Sequence, residues 1–318
     1  MTVTKNKTMR DVFLAALLER MRQDSSIFFL TADFGSPVLD QIRNDFPERF
    51  INVGIAEQNL INVASGLALE GFNVYAYAIA PFITMRCYEQ VKVNLALMSQ
   101  LREMNVNLIG VGAGFSYVVS GPTHHSIEDI SIMRTLPNIE VLSPADWITA
   151  QSMLDFTLHC HRPKYLRFDS QPAPAIYAED SKPFNEHGFN VLNAGGKICL
   201  AATGYMTVQA VNTHKIMADE GVDVAVIDIF RLKNFDMAEL AENLRGYKHV
   251  ISMEEGFIGK GGLDSLLLNL KNDFNLPFGF KSIGIGDNYH FELGARDRLL
   301  ENYHAGIEST LKIIRALV

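Results

Sequence analysis

The 318-residue chain is 48% hydrophobic and 20% charged, with 23 glycines and 11 prolines. That composition suits about two globular domains and excludes disulfide-stapled miniproteins, collagen and disordered tails. Its 28 basic and 36 acidic residues leave a net charge of −8, without the basic excess that neutralises nucleic-acid phosphates or anionic lipid.

Only three cysteines occur, Cys87, Cys160 and Cys199, with no close pair and an odd total, which suits a reducing compartment. The polar N-terminus lacks the apolar core of a signal peptide, and no uncharged apolar run approaches the ~20 residues that span a bilayer. The expectation is a cytoplasmic protein.

Apolar residues at Val12, Leu14, Leu17, Leu18 and Met21 predict a helix over Met9 to Met21, followed by a buried strand Ile27 to Leu30. Asp33 then falls just past a strand end, where α/β folds place ligand groups. Leu60, Val63, Ala64 and Leu67 recur at helical spacing before Gly71, so a helix runs from about Ala56 to Leu69 with Glu57 in its first turn. Val74 to Ile79 reads as a strand, and Pro81 opens a helix to about Ser99. The strand Val106 to Val111 empties into a glycine-rich loop, Gly110 to Thr123, before a helix at about Ser126 to Arg134. Strands Glu140 to Leu142 and Tyr165 to Phe168 flank a helix from Ala145 to His159.

Prolines and polar residues over Ser170 to Phe184 mark a linker. The alternation then resumes with Lys197 to Ala201, a helix near Thr207 to Asp219, Val222 to Ile227, His249 to Met253, a helix from Leu263 and a terminal helix to Val318. The fold class is α/β: two successive open, mostly parallel sheets with helices on both faces. The expected domains are 1–182 and 183–318.

Several chemistries find no support. Gly110-Val-Gly112-Ala-Gly114 lacks the third glycine of a dinucleotide fingerprint. His159-Cys160-His161 has no CxxC or HExxH partner, so no metal site is expected on this chain. Two segments are more informative: Phe50-Ile-Asn-Val-Gly54-Ile-Ala-Glu57-Gln58-Asn59 and Gly121-Pro122-Thr123-His124-His125. Taken alone, Glu57 is equally a helix-start carboxylate stabilised by the dipole by about 0.3–1 kcal/mol. Histidines beside a glycine-rich loop favour acid/base work, because His titrates near neutrality without perturbation.

Read in order, RF-x-x-x-GIAEQ, Pro81-Phe82 with Tyr88, GPTHH, Leu136-Pro-Asn138, Ser143-Pro-Ala-Asp146, Arg167, Ala202-Thr-Gly204, Glu254-Glu255 and Gly261-Gly262-Leu263 resemble the thiamine-diphosphate enzymes of the transketolase and deoxyxylulose-phosphate synthase group. The resemblance covers the whole chain and implies a pyrimidine-binding domain followed by a transketolase C-terminal domain. No GDG motif occurs; Gly286-Asp287-Asn288 is the nearest string. The resemblance therefore implies the C-terminal half of a split transketolase, its diphosphate-binding domain and Mg²⁺ ligands residing on a separate N-terminal subunit, in an α2β2 heterotetramer. The rival within the same cofactor class is the β subunit of a 2-oxo-acid dehydrogenase, whose loop ends in HSQS; a rival of another class is a non-catalytic regulatory subunit.

The resemblance also implies residue roles. Glu57 is the carboxyl group that hydrogen-bonds N1′ of the cofactor pyrimidine, and burial is expected to keep it neutral against the pull of the helix N-terminus. Phe82 stacks on the pyrimidine ring with Tyr88 nearby, and Asp33 lies near the thiazolium. His124 contacts the hydroxyls of the donor sugar, with His125 a weaker candidate. Arg167 holds a substrate phosphate with its bidentate fork. The family usually has Asp immediately before GPTH, and often His at the position of Gly112. Here Ser120 follows Val118 and Val119, which implies a sugar substrate other than the usual pentose phosphates.

Overall fold

The strands of this computed structural model, which describes residues 6–318, fall into two open sheets. The first is six-stranded: β1 (Ile27–Thr31), β2 (Phe50–Asn52), β3 (Asn73–Ile79), β4 (Val106–Val111), β5 (Glu140–Leu142) and β6 (Lys164–Phe168) lie in the order β2-β1-β3-β4-β6-β5, every pair parallel. The second is five-stranded: β7 (Phe189–Gly196), β8 (Ile198–Ala202), β9 (Val224–Ile229), β10 (His249–Phe257) and β11 (Gly279–Ile285), ordered β11-β10-β8-β9-β7, parallel except for β7 against β9.

Parallel strands need helical crossovers that cover both faces, so central strands are buried throughout. All six residues of β4 and all six of β9 are buried. The helix Met9–Gln23 is capped by Thr8, whose hydroxyl accepts from the Asp11 amide at 3.2 Å, and buries Phe13, Leu14, Leu17, Leu18 and Met21 against the first sheet. One core cluster runs across both sheets, joining Leu60, Ala76 and Met133 to Ile227, Leu240 and Leu266. The second sheet's other face is closed by the helices Tyr205–Asp219 and Ile307–Arg315. In the first sheet the strand order reverses between β1 and β3, and ligand crevices in open α/β sheets form at such switch points.

Differences from the sequence reading have local causes. The helix expected from Pro81 to Ser99 is a chain of wider and tighter turns: π-helical over Phe82–Arg86, one α turn at Tyr88–Gln90, π-helical over Val91–Leu97 and 3₁₀ over Met98–Gln100. The helix expected over Ala145 to His159 breaks at Met153 into Trp147–Ser152 and Leu154–His159. The helix Pro37–Asp45, capped by Ser36, and the helix Met237–Leu244, capped by Asp236, lie outside the expected elements. So does the edge strand β7, whose partly exposed residues give a weak apolar signal. The expected linker has no helix or strand between β6 and β7, yet it is pinned: the Ile176 amide donates to Asp146 at 2.8 Å and the Tyr177 hydroxyl to Asp228 at 2.8 Å.

Within β10, Glu254 is buried and accepts from the Asp264 amide at 3.0 Å, while its other carboxyl oxygen has no partner among the described residues. Burial pushes its pKa up from 4.5 to about 7. Between those values the folded chain holds a proton that the unfolded chain has lost, so stability falls as pH rises through this window. Buried Asp228, raised by burial from 3.8 to about 7, acts in the same direction. Thermal or urea unfolding of the full chain should show a decline from about pH 4.5 to pH 7, with Glu254 contributing on the order of 3 kcal/mol. Glu254→Gln should flatten that part of the curve; an unchanged slope would show that Glu254 titrates normally.

Candidate functional site

Glu57 opens the helix Glu57–Leu69 and is 2% exposed. Its Oε2 accepts from Arg86 Nη1 at 2.7 Å. The Arg86 guanidinium in turn lies over the Phe82 ring, 4.3 Å from its centroid. The π-helical turn Phe82–Arg86 sets this spacing, since both residues leave the same short segment that follows β3. The His124 ring also meets Phe82, edge-on, at 5.3 Å and 69°. Glu57, Arg86, Phe82 and His124 therefore form one unbroken line of contacts, although they come from three separate stretches of sequence.

The loop after β4 brings His124 to this line. Gly114 and Ser126 exchange two backbone hydrogen bonds of 2.9 Å and close the loop at its base. Gly112 has φ +106°, and a Cβ there would stand 2.1 Å from the Tyr117 ring, so only glycine fits. The Thr123 hydroxyl lies 2.9 Å from His124 Nδ1, while Nε2 makes no hydrogen bond among the described residues. That arrangement leaves one ring nitrogen available to a ligand.

The neighbouring His125 is 3% exposed and packs edge-on against Phe115 at 4.8 Å. Burial lowers its pKa and favours the neutral ring. The side chain packs on Phe115, and its Nε2 is buried with no hydrogen-bond partner among the described residues.

Asp33, with φ +56°, is exposed beyond β1 and exchanges hydrogen bonds with Asn52: Asn52 Nδ2 donates to its carboxylate at 2.9 Å, and its own amide donates to Asn52 Oδ1 at 3.1 Å. Ser120 is exposed on the His124 loop, its amide bonded to the Tyr117 carbonyl at 3.1 Å.

Two further expectations meet a different environment. The Tyr88 hydroxyl is spent on the Ile132 carbonyl at 3.0 Å and Thr135 Oγ1 at 2.6 Å, fastening the irregular helix to the helix Asp129–Thr135. Arg167 is 2% exposed; Nε binds Asp129 at 2.7 Å, and Nη2 binds the Ser126 and Glu255 carbonyls at 3.0 and 3.2 Å. Nε and Nη2 are thus engaged within the protein, one of the acceptors being the Glu255 carbonyl of β10. His159, in the string without a metal-site partner, bonds through Nδ1 to the Asp155 carbonyl of its own helix at 2.7 Å.

Residues 5–174 match the family described as transketolase, pyrimidine binding domain, and residues 188–306 match transketolase, C-terminal domain. The chain belongs to the transketolase family. It is 35% identical over 265 residues to an apulose-4-phosphate transketolase subunit of Actinobacillus succinogenes, covering 83% of each chain. It is 29% identical over 296 residues to a 6-deoxy-6-sulfo-D-fructose transketolase subunit of a Clostridium species, covering 93% of this chain and 89% of that one. Among solved structures it resembles a split-gene transketolase described as an inactive β4 tetramer, with a TM-score of 0.85, 28% identity and 98% of both chains covered.

The pyrimidine of thiamine diphosphate can be tested against this transketolase chain. Arg86 is a planar, N–H-bearing cation held between an aromatic face and a buried carboxylate. Stacking and a carboxylate acceptor are also the two contacts an aminopyrimidine needs, so Phe82 and Glu57 fit that group.

Sequence reasoning missed Asn52, which braces Asp33, and the partnership of Arg86 with Glu57. It also missed Tyr117, whose ring lies 6.2 Å from His124. The Tyr117 hydroxyl is buried without a hydrogen-bond partner among the described residues. No local motif marks these residues, because they meet only across strand ends.

Proposed function

We propose that this chain is the C-terminal subunit of a split transketolase that transfers a two-carbon ketol unit from a ketose to an aldose. The observation that carries the reading is the line Glu57–Arg86–Phe82–His124, built by the segments that follow β2, β3 and β4. A regulatory subunit would have no use for a buried carboxylate, an aromatic face and a half-open histidine in that order.

When bound, thiamine diphosphate supplies the nucleophilic carbon that takes up the donor's carbonyl. Glu57 holds the proton at N1′ of the pyrimidine, and its burial strengthens that hydrogen bond. Phe82 offers a flat face for the ring. His124, with Nδ1 engaged by Thr123, turns Nε2 toward a donor hydroxyl and exchanges its proton. Asp33, held by Asn52, would face the thiazolium of a bound cofactor.

A partner subunit supplies the diphosphate and Mg²⁺ contacts. Exposed apolar side chains adjoining the line in sequence, Ile55 at 75% and Met85 at 43%, support such a cover. The proposed assembly is an α2β2 heterotetramer in the cytoplasm, with the pyrimidine-binding domain over 1–182 and the C-terminal domain over 183–318. No helix of the described residues is long and apolar enough to cross a membrane.

Reconstitution with an N-terminal transketolase subunit tests the reading. The isolated chain should bind thiamine diphosphate weakly and transfer nothing, and the mixture should be active. With Ser120 in place of an acidic residue, loss of one charged hydrogen bond weakens recognition by roughly 1.5–3 kcal/mol. Xylulose 5-phosphate and ribose 5-phosphate should accordingly be poorer substrates than modified ketoses and aldoses. Tight, Mg²⁺-dependent cofactor binding by the isolated chain would contradict the split site, and a kcat/KM for the ordinary pair no lower than for any alternative would contradict the role of Ser120.

A further inference from the structure

We propose that Glu255, in the transketolase C-terminal unit, is a positioning residue for the loop that presents His124. The kinetic meaning of this inference rests on the transketolase reading; its structural content does not.

Glu255 lies near the end of β10 and is 1% exposed. Its Oε1 accepts from the Phe115 amide at 3.4 Å. Its carboxyl group presses on Gly114, where a Cβ would stand 2.1 Å from Oε2 and where φ is +55°. Gly114 is one half of the two-bond bridge with Ser126 that closes the loop, so Glu255 holds the loop at its base. The Ser126 side of that base is held by Arg167 Nη2, which also binds the Glu255 carbonyl.

The carboxylate is itself aimed. Arg296, from the last third of the chain, donates from Nε to Oε1 at 2.8 Å and from Nη2 to Oε2 at 2.5 Å. Arg296 also pairs with Asp169, just after β6, and reaches the Ala113 carbonyl at 3.4 Å. From this base the constraint runs through side-chain packing: the Phe115 ring meets His125 edge-on at 4.8 Å, and His125 is bonded in sequence to His124. The C-terminal unit thus sets where the half-open histidine sits against Phe82, with no atom of its own required in the reaction.

The test is Glu255→Gln, which keeps size and leaves Arg296 paired with Asp169. Hydrogen–deuterium exchange on the full chain alone reads the clamp directly. Amides of residues 112–126 should exchange about tenfold faster, while the helix Glu57–Leu69 stays as protected as in wild type. In the reconstituted enzyme, kcat/KM for the donor should fall about 10–100-fold, since small misplacements at a reacting group carry losses of that size. Exchange of the cofactor's C2 proton, which depends on Glu57, should keep its wild-type rate.

Unchanged exchange over 112–126 overturns the proposal whatever the activity does. Faster loop exchange with wild-type donor kinetics overturns it too, leaving Glu255 a structural residue only. If wild-type reconstitution gives no ketol transfer, the transketolase reading fails, and the exchange result still decides the clamp. Should Glu255→Gln not fold, Phe115→Leu cuts the same link at the His125 contact, with the same expected pattern and the same overturning outcomes.

Discussion

In the assembled complex, Glu57→Gln is expected to lose about 10²–10⁴-fold in turnover while the chain folds almost as before. The fold should survive because an amide oxygen can still accept from Arg86, which now holds Glu57 at 2.7 Å. The charge lost from the first helical turn is worth about 0.3–1 kcal/mol. The ion pair adds little beyond that, because the Arg86 side chain is 44% exposed and screened by solvent. Turnover should collapse because an amide cannot pass a proton to N1′ of the pyrimidine and take it back as a carboxyl group does. Isotope exchange at C2 of the bound cofactor is the direct measurement. Exchange as fast as in wild type would make Glu57 a helix-start residue and nothing more.

Much of this arrangement could be read from local pattern. Helical spacing from Leu60 to Leu67 places Glu57 in a first turn, and the structure starts the helix at Glu57. The apolar run Val106 to Val111 gives β4, and with it the position of the loop that follows. Alternating strands and helices give two mostly parallel sheets, because that rhythm has few packed solutions. The order of short motifs then points to transketolase, and the family matches over 5–174 and 188–306 support that assignment.

What escaped has physical reasons. Apolar periodicity does not distinguish 3.6 residues per turn from the wider π-helical turn, so Phe82–Arg86 read as ordinary helix, and the stacking of Arg86 on Phe82 went unseen. The glycines at 112 and 114 looked like an incomplete nucleotide motif. In the structure they make room for Tyr117 and for the Glu255 carboxylate, the latter from far along the chain. Tyr88 and His125 have residue types that suit a site, but their hydrogen bonds and packing turn them inward. Contacts between residues separated by a hundred positions leave no trace in spacing.

Arg167 shows the same effect with the largest expected consequence for stability. A strand-end arginine suggested a phosphate ligand, yet the side chains of Arg167 and Asp129 are each 1% exposed and paired at 2.7 Å. Asp129 also accepts from the Tyr165 hydroxyl at 2.7 Å, and its other oxygen is buried without a partner. Arg167→Ala would strand that carboxylate in the interior, and breaking a buried pair by removing one member typically costs about 3–5 kcal/mol. Two carbonyls, of Ser126 and Glu255, would lose their donor as well. Urea unfolding of the full chain should show the loss. The double variant Arg167→Met with Asp129→Leu should recover a large part of it, since apolar replacement of a buried pair is often neutral or better. A single variant that unfolds within about 1 kcal/mol of wild type, while raising KM for phosphorylated substrates selectively, would return Arg167 to phosphate binding and remove it from the frame that joins the two sheets.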